Sequence, residues 1–190
     1  DTFLKNEVYP IHFMYDTGML EELKDILGFK NQELSNKVGA FTDYTDRILE
    51  WATRKVGGAL WREMKSDACT PFTRVTSDGT YFLTRLADYL KNNTHIQLHI
   101  VGHSAGSIFQ AHSLARLFKI DETLKVDSLH LMAPAISYPL FNETLAPLIE
   151  SEHIASTTVY NLSGPLEKDD HVARIYQKSL LYLISYAVFC

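Results

Sequence analysis

HIQLHIVGHSAGSIFQAHSLARLFK, residues 95–119, changes its hydrophobic period midway and so sets the order of elements at the centre of the chain. From His95 to Val101 polar and apolar residues alternate, with Ile96, Leu98 and Ile100 on one side, the period-2 signature of a strand. From Ser107 to Lys119 the period is helical, and Ile108, Ala111, Ala115 and Phe118 fall on one stripe. Between them, Gly102-His103-Ser104-Ala105-Gly106 leaves room only for a sharp turn.

That turn fits G-x-S-x-G with a strand before it and a helix after it, the context a nucleophilic serine requires. A strand-to-helix turn this tight forces strained backbone angles on the residue at its tip. Side chains two before and two after the serine would collide with the neighbouring strand and helix, and Gly102 and Gly106 carry none. The turn lifts the Ser104 hydroxyl above the sheet edge. It also aims the first helical N–H groups, near Ala105, at a developing negative charge. The plainer alternative is a glycine-rich βα turn with a serine at its tip by chance.

Working outward, Tyr9 to Tyr15 reads as a buried strand. Helices fit Thr17 to Gly28, Glu33 to Val56, Ala59 to Ala68 and Tyr81 to Lys91, with Pro71 to Gly79 as a loop. After the elbow come a strand at Val126 to Ala133, a short helix at Asn142 to Leu148 and a strand at Thr157 to Leu162. A last helix runs from about His171 to the end. Strands alternating with helices imply βαβ units. The expected fold is α/β, a mostly parallel sheet with helices on both faces, in a single domain over 1–190. Helices at about 17–91 form an insertion that either caps the site or covers the sheet.

Composition sets the outer limits. Apolar residues make up 46% and charged residues 22%, ordinary for a globular protein. A net charge of −5 provides no basic stripe for phosphates, so no nucleic-acid partner is expected. Two cysteines, Cys69 and Cys190, make neither a disulfide framework nor a metal-ligand pattern, and a reducing, cytoplasmic setting is the expectation. Sequons begin at Asn92, Asn142 and Asn161 and are read as coincidental. Asp1 to Glu7 is polar, unlike a secretory leader. The most apolar run, Leu180 to Cys190, falls short of the about 20 residues a membrane span needs.

Ile100-Val-Gly-His-Ser-Ala-Gly-Ser107 resembles the nucleophile region of the α/β-hydrolase superfamily. Together with Tyr9 to Leu27, Trp61 to Ala68, Leu131-Met-Ala-Pro-Ala135 and Lys178 to Ser185, it is similar to a little-characterised bacterial group of α/β hydrolases. The resemblance implies that an acid and then a histidine follow the serine in chain order. It assigns the acid to the loop after Thr157 to Leu162, as Asp169 or Asp170, with Glu167 in reserve. A solvated acidic loop capping the last helix is the alternative. His171 is the only histidine after that loop, although adjacency to the acids makes it an awkward partner for them. His103 fills the variable elbow position and is expected to pack beside the site, and His12 could sit at a strand end near it. His95, His99, His112, His130 and His153 read as surface or strand histidines, and no pair has metal-ligand spacing. In the superfamily a second oxyanion donor comes from a loop after an earlier strand. Only eight residues precede Tyr9, so the chain is expected to lack superfamily elements at both ends.

The activity so implied is hydrolysis of a carboxylic ester or thioester through an acyl-enzyme on Ser104, with no metal or organic cofactor. The partner is a small-molecule ester or thioester. Two rivals stand beside it: a non-catalytic α/β module acting in binding or assembly, and an acyltransferase using the same nucleophile.

Overall fold

The computed structural model describes residues 2–14, 58–59 and 61–169. In chain order these form helix α1 (Thr2–Lys5), helix α2 (residues 61–69), a 3-10 turn (Thr70–Phe72) and helix α3 (Asp78–Asn92). Strand β1 (His99–His103), helix α4 (Gly106–Ile120), strand β2 (Ser128–Met132), helix α5 (Tyr138–Glu150), strand β3 (Thr157–Tyr160) and helix α6 (Gly164–Asp169) follow. The strands are parallel in the order β1-β2-β3, with His99 opposite Ser128 and Leu129 opposite Thr157. The described residues therefore form an α/β unit, a small parallel sheet with flanking helices.

Crossovers that step the same way along a parallel sheet carry their helices on the same side. α4 packs on β1, and α5 and α3 both pack against α4. The register decides which residues meet that layer. Ile100, Gly102, Leu129 and Leu131 share the face toward α4, and Leu129 and Leu131 are fully buried, contributing about 1.5–3 kcal/mol each. The opposite face carries Val101, His103, Met132, Thr158 and Tyr160, all exposed. The helices expected on that second face, and the expected insertion apart from residues 58–59 and 61–91, lie outside the described residues. So do the helices read over Thr17 to Gly28, over Glu33 to Val56 and from His171 onward.

α2 buries Trp61, Met64 and Ala68, at the i, i+3, i+7 spacing of one helical face. α3 buries Leu83 and Ala87 and rests Phe82, Leu86 and Leu90 against the core. α4 is enclosed by its neighbours and buries Ser107, Ile108, Phe109, Ala111, Ser113, Leu114, Leu117 and Phe118. Among the described residues no helix is long and apolar enough to cross a membrane.

Several boundaries differ from the sequence expectation. The first sheet strand begins at His99, not His95. The Leu98 N–H donates to the Asp127 carboxylate at 2.8 Å and the Asp127 N–H to the Leu98 carbonyl at 2.9 Å, so a side chain takes the place of a ladder step. Val8 to Met14 is not a strand, and Tyr9 and Met14 are 85% and 93% exposed. Pro10 has no N–H for a ladder. The segment is held instead by the Phe13 ring, 4.9 Å from Phe82 and 5.2 Å from Phe109 between centroids. The expected loop over Pro71 to Gly79 is in part the 3-10 turn and in part the first turn of α3. There Gly79 acts as a point of close approach: a Cβ on it would lie 2.6 Å from the Pro71 carbonyl oxygen. α5 starts earlier than expected, because the Ser137 hydroxyl accepts from the Leu140 N–H and Pro139 suits the first turn. The acidic loop after β3 is also helical, as α6, with Pro165 in its first turn.

One ion pair makes a prediction about pH. Asp121 ends α4, and its Oδ1 accepts from the Thr123 N–H at 2.9 Å and the Thr123 hydroxyl at 2.7 Å. Lys91 Nζ, on α3, lies 2.5 Å from its Oδ2. The hydrogen bond from Lys91, then those from Thr123, lower the Asp121 carboxyl from 3.8 to about 2. A carboxyl depressed in the folded state stabilises the fold above its unfolded value, and that contribution is lost as pH falls toward the folded one. The wild-type Tm should therefore drop more steeply between pH 3.8 and 2 than the Tm of Asp121→Asn. Parallel acid limbs would count against the pair.

Candidate active site

The elbow forms where β1 meets α4. Ser104 has φ 49°, in the left-handed region where a non-glycine residue is strained by about 1–3 kcal/mol. Its N–H continues the ladder, donating to the Met132 carbonyl at 2.9 Å. Its carbonyl accepts from the Ser107 hydroxyl at 2.6 Å, the Ser107 N–H at 3.0 Å and the Ala135 N–H at 3.2 Å. Each such bond is worth about 0.5–1.5 kcal/mol net, enough together to offset the strain. The side chain is half-buried, and its hydroxyl takes no hydrogen bond among the described residues.

The two glycines differ. A Cβ on Gly102 would sit 3.1 Å from the Gly106 carbonyl oxygen, the Ser107 Cα and the Ser107 N, so the close approach expected there is real. A Cβ on Gly106 would meet nothing within 4 Å, so the clash expected at that position is absent among the described residues. The reason is topological: among the described residues β1 is an edge strand, with only β2 beside it.

Ala105 precedes the first residue of α4, and its N–H has no hydrogen-bond partner among the described residues. An unsatisfied N–H at the start of a helix suits an anionic oxygen.

This chain matches no protein-family model, no curated protein and no solved structure.

The other expected site residues fall as follows. His103 is exposed on the sheet face away from α4 and makes no hydrogen bond among the described residues. His12 is exposed in the irregular segment after α1, and His95 is exposed before β1. His99 Nδ1 lies 2.7 Å from the Ser128 hydroxyl, and His130 reaches the same hydroxyl at 3.1 Å and the Tyr160 hydroxyl at 3.3 Å. His153 bridges the Ser151 hydroxyl and the Glu122 carbonyl. His112 on α4 is half-buried, and burial lowers its imidazole pKa while Glu143 opposes the shift. None of these rings is hydrogen-bonded to Ser104. On α6 Glu167 is half-buried and Asp169 is exposed. Asp170 and His171 lie outside the described residues.

Two features escaped the sequence reading. Ala133 has φ 42° at the end of β2, and its N–H donates to the Tyr160 carbonyl at 2.7 Å, the same step Ser104 makes one strand over. Alanine carries no signal for such an angle. Ser107 does carry one, a polar residue on the buried side of an apolar helix.

Proposed function

We infer that this chain is a serine hydrolase of the α/β-hydrolase type, cleaving a carboxylic ester or thioester through an acyl-enzyme on Ser104. The observation that carries the reading is the left-handed backbone of Ser104 at the end of a parallel strand, its hydroxyl without a hydrogen-bond partner among the described residues. A serine is held at a strained angle only where its surroundings enforce it, and such sites cluster at reacting centres.

The hydroxyl oxygen attacks the carbonyl carbon as a histidine takes its proton. The Ala105 N–H stabilises the oxyanion. The histidine returns the proton to the leaving alcohol or thiol, and water then cleaves the acyl group from Ser104 by the same steps. Chain order assigns the base to His171 and the orienting acid to Asp169 or Asp170.

A fluorophosphonate probe tests the reading on the full chain. Covalent labelling that disappears in Ser104→Ala is the expected result, and absence of labelling in the wild type overturns it. That absence would favour a second reading, a non-catalytic α/β module. The observation behind this rival is that no imidazole among the described residues bonds to Ser104. An acyltransferase would label equally, and product analysis with alcohol acceptors separates it from a hydrolase.

A further inference from the structure

We propose that Ser107 is a positioning residue for the nucleophile: its buried hydroxyl ties the backbone of Ser104 to the loop after β2 and so holds the elbow at its left-handed angle. Ser107 is 0% exposed. Its single hydroxyl proton goes to the Ser104 carbonyl at 2.6 Å, and its oxygen accepts the Ile136 N–H at 3.0 Å. The hydroxyl thus both donates and accepts, and the second partner lies 29 residues from Ser107 in the chain.

Serines in helices often bond back to the preceding turn, and that alone would mean little. Here the acceptor lies outside the helix, on the strained residue itself, and the second bond reaches another crossover. The Ala135 N–H joins the same carbonyl at 3.2 Å, so Ala135, Ile136 and the elbow are joined by hydrogen bonds. Without the hydroxyl, the Ile136 N–H would be buried beside a methyl group and the Ser104 carbonyl would lose its shortest contact. The loop and the elbow would then relax independently. A shift of about 1 Å at a reacting group is worth about 100-fold in rate.

The consequence for reactivity rests on the hydrolase reading, whereas the link between Ser107 and Ile136 does not, so two measurements are made on the full chain. The first is the rate of fluorophosphonate labelling at Ser104. Ser107→Ala should slow it about 10- to 100-fold. Ser107→Thr, whose hydroxyl can make the same bond to the turn before it, should recover most of the rate. Ser113→Ala, which removes another buried hydroxyl from α4, should label as the wild type does. The second is amide exchange, in which Ile136 should exchange about 10-fold faster in Ser107→Ala relative to Leu114 in the helix core. If Ser107→Ala does not fold, Ser107→Cys, of similar size but a weaker donor, replaces it with the same expectations.

Wild-type labelling rates in Ser107→Ala, or equal losses in Ser107→Ala and Ser113→Ala, overturn the proposal. If the wild type itself is not labelled, the hydrolase reading falls and the exchange of Ile136 alone decides. A selective loss of protection supports the positioning role for the elbow backbone, and unchanged protection overturns it.

Discussion

Ser104→Gly is expected to be inactive and yet more stable than the wild type. On the proposed hydrolase reading the nucleophile acts as one unit with its base, so deleting it should remove nearly all the catalysis the unit provides, about 10⁶-fold in turnover for a serine of this kind. Stability moves the other way. Serine at φ 49° carries a steric cost that glycine does not, because glycine reaches the left-handed region freely. Part of that gain, up to about 1 kcal/mol, is offset by the larger entropy glycine loses on folding. The side chain is half-buried and makes no hydrogen bond among the described residues, so its removal forfeits little. A net gain near 1 kcal/mol corresponds to a Tm rise of about 2–4 °C for a chain of this size. Ser104→Ala separates the two effects, since it removes the hydroxyl and keeps the strain. It should be equally inactive with no rise in Tm. Thermal unfolding and hydrolysis of a short aryl ester check both. Activity retained in either variant would show the nucleophile to be elsewhere, and a lower Tm in Ser104→Gly would show that the angle is not strained.

The elbow was legible in the sequence because its determinants are local. Alternation before Gly102, a helical stripe after Gly106 and a serine between them place a strand, a turn and a helix in that order whatever surrounds them. The neighbouring strands at Ser128–Met132 and Thr157–Tyr160 were legible for the same reason. Aromatic content misled at Tyr9 to Tyr15, since a ring can bury itself singly, as Phe13 does against Phe82 and Phe109, without its neighbours joining a ladder. The first turn of α3 was hidden because Gly79 reads as a breaker, while the Pro71 carbonyl it must clear is distant information. The link from Ser107 to Ile136 was out of reach for a related reason, since it joins two crossovers and depends on how they pack. The expected acid and base rest on chain order within the resemblance, and Asp169 stands exposed on α6 with no bond among the described residues that would mark it as an orienting group.

Gly102→Ala and Gly106→Ala, equivalent in the sequence motif, should behave oppositely. A methyl on Gly102 would press at 3.1 Å on three backbone atoms of the α4 N-terminus, and backbone cannot rotate out of the way. Either β1 or α4 must move, at the cost of overpacking a tight site, about 1–3 kcal/mol. That same turn of α4 holds the Ser104 carbonyl through the Ser107 N–H and hydroxyl. Any movement is thus passed to Ser104, and on the proposed reading turnover should fall about 100-fold as well. A methyl on Gly106 meets nothing within 4 Å among the described residues and sits at the first position of a helix, where alanine is the better residue. Gly106→Ala should leave the Tm unchanged or slightly raised and turnover within a few-fold of the wild type. Differential scanning calorimetry and fluorophosphonate labelling read both. Equal destabilisation by the two substitutions would mean that a neighbour packs against Gly106 on the side of β1 away from β2. The second glycine would then carry the steric role that its place in the motif assigns to it.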